Sequence, residues 1–400
     1  MRLHNGDLFW PKTLDYSREF KSAAQIKDHY DVLIIGGGMS GALAAYTLSQ
    51  EGLTIAVADK MEMASGSSSA NTGLLQFSND IMLHELAAQI GEDQAVQFYK
   101  LCQKAVEQLG VTAQTLSRDV NLYRRKSICY ASSDEDAGKL KKEYDMLKKH
   151  GFPADYWHEE EVAERMPFRK PAALITYGDA EVNPFRFIHG ILEHLEQRGV
   201  DLFENTEIET VEELEDSVEV SSSIGRFSAS HVLYATGYQK PPIKRKIGSV
   251  INRSFAIATN RVEDLSSWED RALIWETKRP YLYLRTTADN RIIAGGLDEN
   301  VPEAPEDEDW ITNRAEKILD EVQELFPDLP LSIEYQWGAS FGESADNLPY
   351  IGRHPSKRRQ FYLLGYGGNG TVYSMLGSHL LKDLILGVPN KEAELLKLDR

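Results

Sequence analysis

The stretch from Asp31 to Lys60 reads DVLIIGGGMSGALAAYTLSQEGLTIAVADK, and it restricts the fold more tightly than any other part of the chain. Residues 32–35 are a short apolar run, partly β-branched, as expected of a buried parallel strand. Gly36, Gly37 and Gly38 follow at once, then Met39, Ser40 and Gly41. Residues 42–49 favour helix and carry small side chains on the early turns. Gly52 ends that helix, residues 53–58 read as a second strand, and Asp59 closes it 21 residues after Gly38. Each piece has a physical task. Gly36 permits a tight strand-to-helix turn, Gly38 lets the backbone approach a pyrophosphate, and Gly41 allows close helix–strand packing. The helix N-terminus, near Ser40, offers free N–H groups and the positive end of its dipole to phosphates. Asp59 accepts hydrogen bonds from ribose hydroxyls, and its charge disfavours the 2′-phosphate of NADP.

The next segment separates NAD from FAD. Residues 61–76, MEMASGSSSANTGLLQ, form a loop rich in Gly, Ser and Asn where a nicotinamide dehydrogenase more often enters another regular helix. A small-residue loop directly after the ribose acid and Lys60 suggests backbone laid along an extended flavin dinucleotide. The chain's charge of −18 opposes nucleic acid and anionic lipid. Cys102 and Cys129 are too few for a disulfide framework and read as free thiols. No apolar run has the length of a signal peptide or a membrane span, so the expectation is a cytoplasmic protein that contacts neither membrane nor nucleic acid.

The remaining pattern implies an α/β fold. Its expected form is a Rossmann-type dinucleotide-binding domain assembled from discontinuous segments, plus an α+β domain with a largely antiparallel sheet. The expected divisions are 1–80, 176–240 and 335–400 for the first domain, and 81–175 and 241–334 for the second. Residues 82–119 read as helices with two amphipathic stretches, 134–150 as a charged amphipathic helix and 310–326 as a helix, and a further helix has Pro184 near its start and Gly199 at its end. Residues 217–237 read as a hairpin followed by a separate buried strand ending in Ala235-Thr236-Gly237. The acidic run 303–309 reads as a solvated loop, and residues 361–387 as strand, glycine turn and helix.

Taken in order, IIGGGMSG with Asp59, ASGSSSANTGLL, NPFRFIHGILEHLEQRGVDLFENTEI, VLYATG, and DNLPYIGR followed by LLGYGGNGT resemble the D-amino-acid oxidase, glycine oxidase and sarcosine oxidase superfamily. The head, with Phe9-Trp10-Pro11, and the segment YLYLRTTADNRIIAGG are similar to the gamma-glutamylputrescine-oxidase-like branch. The resemblance implies noncovalent FAD, since the covalent type needs a cysteine near WGAS. It places Gly36, Gly38 and Gly41 at the pyrophosphate and Asp59 at the adenosine ribose. Ser65, Gly66, Asn71, Thr72 and Gly73 fall along the path to the flavin, and Ile208 meets the adenine. Ala235, Thr236 and Gly237 close over the dinucleotide. Gly338, Gly367, Gly368, Asn369, Gly370 and Thr371 lie near the flavin, where a helix starting near Thr371 would face the N1–C2=O edge.

The implied reaction is hydride transfer from a carbon bearing nitrogen to flavin N5, giving an imine and, with O2, hydrogen peroxide. Amino-acid oxidases of the family often hold the substrate carboxylate with an arginine just after the strand that here reads EYQWGAS. Ser340 stands at that place, which counts against a simple α-amino acid. Arg285 is a candidate replacement, because Tyr281, Tyr283 and Arg285 share one strand face. Tyr283, Arg285, Ser340 and Asn369 are therefore the candidate catalytic residues. Two further readings stay open: a dehydrogenase subunit passing electrons to a partner acceptor, and a flavin domain acting on a modified tRNA base. No cluster has metal-ligand spacing, and His84, His158 and His379 read as structural.

Overall fold

The computed structural model describes residues 3–14, 20, 26–238, 249–301, 308–365 and 367–400. The strand His29–Ile35 is the axis of an eight-stranded sheet. It pairs in parallel with Ile55–Ala58 on one side and Gly225–Tyr234 on the other. Asp201–Phe203 and Gln360–Leu364 extend the sheet, also in parallel. Residues 32–34 are fully buried, which explains their uninterrupted apolar run. The helix Met39–Ser49 follows. Nine of its residues are buried, so it has no polar face to signal amphipathicity. Its small residues let the helix Gly370–Ile385 approach closely, with Ser40 Oγ 2.8 Å from Ser374 Oγ and Thr47 Oγ1 2.9 Å from Ser378 Oγ.

The second sheet has ten strands. Ile333–Ser344, Ser249–Thr259, Ile292–Glu299 and Leu282–Thr286 pair antiparallel in sequence across it. Leu273–Glu276 then pairs in parallel with Tyr123–Tyr130. The helix Glu308–Leu325 covers one face, packing Trp310 edge-on against Phe255 at 4.8 Å. Glu308 and Asp309, the end of the acidic run, already belong to that helix, and residues 303–307 lie outside the described residues.

Two expectations change here. The hairpin strand and the buried strand after it are one ten-residue strand, Gly225–Tyr234. Its first half pairs antiparallel with Val218–Ser222, and it also pairs in parallel with His29–Ile35, so no break is needed. The expected segment boundaries also cut strands. Ile333–Ser344 spans residue 335, Ala172–Glu181 spans residue 176, and His4–Gly6 and Leu74–Leu75 from the first segment join the second sheet. The head is therefore built into the body. His4–Gly6 adds a strand beside Trp337, and Phe9 and Trp10 are buried.

Asp179 ties the second sheet to the loop after residue 76. Its carboxylate accepts from Ser127 Oγ at 2.6 Å, Thr176 Oγ1 at 2.9 Å and the Phe77 N–H at 2.9 Å. Complete burial outweighs these donors and pushes the carboxyl up to about 6. The folded state therefore holds this proton more tightly than the unfolded state does. The stability Asp179 contributes falls as pH rises from about 4 to about 6 and is constant above. Relative to Asp179→Asn, the wild type should lose roughly 2 kcal/mol between pH 4.5 and pH 7, read from denaturant unfolding. A pH-independent difference between the two proteins would contradict this.

Candidate active site

The end of His29–Ile35 opens into a groove of about 570 Å³ that runs over both glycine turns. Gly36 has φ +113°, and a Cβ there would lie 2.3 Å from the Ala235 carbonyl oxygen. At Gly41 a Cβ would lie 1.8 Å from the Gly36 carbonyl, so Gly41 serves helix–strand packing, as its spacing implies. Gly38 and Ser40 line the groove, and a Cβ on Gly38 would project to 2.9 Å from Ser68 Oγ. Gly38 offers no side-chain cap to the helix Met39–Ser49, although Ser68 Oγ accepts from the Met39 N–H at 3.0 Å, and the positive end of the helix lies at the groove.

Asp59 lies at one end. Its carboxylate accepts from the Gly37 N–H at 2.7 Å and the Met61 N–H at 2.9 Å. Two of its roughly four acceptor positions remain, enough for a pair of vicinal hydroxyls. Burial raises its pKa against the pull of those two amides. Lys60, Gly66, Asn71, Ile208, Ala235, Thr236, Gly237, Gly370 and Thr371 also line the groove. Ser67 Oγ and Thr236 Oγ1 are buried there without a hydrogen-bond partner. Two idle hydroxyls, a helix N-terminus and glycines with no room for a side chain fit the phosphates of a dinucleotide.

At the far end a smaller cavity adjoins the groove, and Asn71 and Thr371 line both. Thr72, Asp80, Trp275, Tyr281, Tyr283, Gly368 and Asn369 complete much of its wall. Asn369 donates through Nδ2 to the carbonyls of Gln76 and Ser78, so it fixes the cavity loop as well as facing the space. Gly367 lines a small adjoining pocket with Asp80, Glu343 and Tyr373. Tyr283 is enclosed, and burial pushes its phenol up to about 12.

Five expected positions serve other ends. Arg285 is 2% exposed and turns under the loop instead of into the cavity. It donates to the carbonyls of Thr72 at 2.7 Å, Val182 at 2.7 Å and Thr286 at 3.3 Å, and its guanidinium lies 5.0 Å from the Trp10 ring centroid. Glu181 is 3.6 Å away. Burial lowers the guanidinium to about 10, so it stays charged at neutral pH, and its donors are spent on backbone. Ser340 faces the other side of its strand from Trp337, as an odd residue offset requires. Its Oγ accepts from Arg253 Nη2 at 3.0 Å, while Trp337 Nε1 donates to the Ala70 carbonyl at 3.0 Å. Gly338 shares the Ser340 side, where a Cβ would meet Asn5 Oδ1 at 3.1 Å. Gly73 has φ +76°, and its Cβ position is blocked by the Val182 carbonyl at 2.2 Å and by Arg285. Ser65 acts through its backbone, whose carbonyl lies 3.0 Å from His4 Nε2.

The sequence reading passed over Asp80, Trp275 and, in the groove, Leu3, Ser67, Ser68, Tyr234 and Lys357. Asp80 is a single acid in an irregular loop, and no local pattern distinguishes it. Leu3 reaches the groove only because the head pairs with a strand more than 300 residues away.

The fold thus joins a groove suited to a dinucleotide to an aromatic cavity. The chain belongs to the DAO family of FAD dependent oxidoreductases, whose pattern matches residues 31–384. The cofactor is FAD, and the reaction type is oxidation of an amine or amino-acid C–N bond. The chain is 24% identical to glycine oxidase of Bacillus subtilis over 92% of its own length and 95% of that protein. It is 23% identical to gamma-glutamylputrescine oxidoreductase of Escherichia coli over 89% of its length and 84% of that protein. The crystal structure of glycine oxidase from Geobacillus kaustophilus superposes with a TM-score of 0.79 at 22% identity, covering 94% of this chain and 99% of that one. No helix among the described residues is long and apolar enough to cross a membrane, and no group of three or more His, Cys, Asp or Glu among them is placed to hold a metal ion.

Two outcomes follow for variants. Gly36→Ala should abolish FAD retention and cost about 3 kcal/mol or more, because backbone atoms block the new methyl. Flavin content after gel filtration and the unfolding midpoint check this, and a fully loaded, equally stable variant would refute it. Arg285→Met should destabilise by about 3 kcal/mol or more through its stranded carbonyls and Glu181. An Arg285→Met protein as stable as wild type, but with selectively raised KM, would restore Arg285 as a substrate group.

Proposed function

We propose that the chain oxidises a small amine or amino acid held in the Asp80–Tyr283 cavity, with noncovalent FAD and with O2 as the electron acceptor. The observation that carries this reading is the shared lining of groove and cavity at Asn71 and Thr371. A dinucleotide spanning the groove from Asp59 would end where the cavity begins. When bound, FAD supplies the hydride acceptor, its N5, and passes the electrons on. The protein's part is to place the carbon bearing nitrogen and to exclude water, for which Trp275, Tyr281 and Tyr283 supply apolar, rigid walls. The 16-residue helix Gly370–Ile385 has no side-chain cap at Asn369. Its N–H groups would favour negative charge at that end of the groove.

Noncovalent binding is supported by the cysteines. Cys102 and Cys129 are buried at 0% and 2% exposure, and neither lines the groove or the cavity. Burial pushes the Cys102 thiol up to about 12 and raises Cys129 further, which leaves both inert.

The test is anaerobic bleaching of the purified yellow protein by D- and L-amino acids, N-methyl amino acids and simple amines, followed by admission of air. The expected result is bleaching by at least one class, return of colour with hydrogen peroxide, and release of all flavin on acid precipitation. Failure of every amine and amino acid to bleach the flavin would overturn the reading. Colour returning only with an artificial acceptor would overturn the role given to O2.

A further inference from the structure

Among the residues lining the inner cavity, Asp80 carries the sole formal charge. Its Oδ2 accepts from the Gly368 N–H at 2.9 Å and its Oδ1 from the Tyr281 hydroxyl at 3.2 Å. These two bonds fix the carboxylate between the glycine turn before the helix Gly370–Ile385 and the aromatic strand. A carboxylate offers about four acceptor positions, so two remain for a ligand. The placement leaves little freedom, since a Cβ on Gly368 would sit 2.6 Å from Oδ2. Around it stand Trp275, Tyr281 and Tyr283, with the two phenol rings 5.7 Å apart. A carboxylate among aromatic faces is the chemistry that selects an organic cation over an anion.

The groups that would select an anion are turned elsewhere. Arg285 spends its donors on buried carbonyls, and Ser340 faces Arg253 on the other side of its strand. Arg279 does not line the inner cavity; it lines a neighbouring pocket together with Asp80, Asp298 and Glu343. There its Nη2 donates to the Asp80 carbonyl at 2.7 Å and its guanidinium stacks 4.6 Å from the Tyr281 ring centroid. The carboxyl groups of Asp298 and Glu343 beside it offset its charge.

We propose that Asp80 is the specificity-determining residue of this site: its carboxylate holds the ammonium group of the substrate and accepts one proton from it before the hydride leaves the adjoining carbon, so that the chain takes an amine with no carboxylate on the reacting carbon. This rests on the oxidase reading above and narrows it to one substrate class. Tyr281 positions Asp80 through its hydroxyl, and Trp275 and Tyr283 offer their faces to the cation and the carbon attached to it.

The probes are an isosteric pair that cannot be oxidised, because their central carbon bears no hydrogen: tert-butylammonium and pivalate. Each is titrated into the FAD-loaded protein, and binding is read from the flavin absorbance shift and by calorimetry. Wild type should bind tert-butylammonium and not pivalate, and this comparison needs no variant. Asp80→Asn should weaken tert-butylammonium binding about tenfold or more, at unchanged FAD content and melting temperature, and Asp80→Glu should recover part of the loss. Pivalate binding as tightly as tert-butylammonium would overturn the proposal. So would an Asp80→Asn protein that binds the cation like wild type, or no wild-type response to the cation at all. Cation binding that depends on Asp80 in a protein whose flavin no amine reduces would uphold this site and sink the oxidase reading. Amine-dependent bleaching that is indifferent to Asp80 would do the reverse.

Discussion

The contact between Gly36 and the Ala235 carbonyl sets the position of everything that follows. It exists because His29–Ile35 and Gly225–Tyr234 run in parallel and end together, with Ile35 opposite Tyr234. Two chain reversals meet there in the same small space, and only a residue without Cβ fits. From that point the helix Met39–Ser49 starts toward the groove, Asp59 emerges one strand away, and Thr236 turns its hydroxyl inward. A wider turn at residue 36 would displace the helix end, the ribose acid and the second turn together.

The second constraint is buried charge. Arg285 is held by backbone carbonyls, the Trp10 face and Glu181, and it fastens the Thr72–Gly73 turn to the start of the helix Pro184–Gln197. The head takes part in this through Trp10, and it also contributes His4 beside the Ser65 carbonyl and Leu3 in the groove wall. Arg285, which strand alternation places at the substrate, therefore stabilises the loop beneath it. If Asp80 holds the substrate nitrogen as proposed, the cavity attracts a cation where a carboxylate-binding arginine would attract an anion.

The sequence makes the cofactor half of the molecule legible, because its pieces are local. Strand, glycines, helix and acid lie within 30 residues, and each has a backbone reason to be what it is. The inner cavity is the opposite case. Asp80, Trp275, Tyr283 and Asn369 come from four separate stretches: Trp275 and Tyr283 pair across the second sheet, Asn369 starts the helix that follows a strand of the first, and Asp80 sits in a loop. Strand alternation correctly grouped Tyr281 and Tyr283, but it could not show that the next residue of that face, Arg285, passes under a loop. Ser340 was legible as a departure from the family pattern. Which side of the strand it faces depends on register, and one residue of slip reverses the answer.

The most direct test of the account is a crystal structure of the FAD-loaded protein. The account predicts the adenosine ribose on Asp59, the pyrophosphate at the N-terminus of Met39–Ser49, and the isoalloxazine ring at Asn71 and Thr371 with one face open to Asp80, Tyr281 and Tyr283. A ring seated elsewhere, or one whose open face meets Arg285 instead of Asp80, would contradict it.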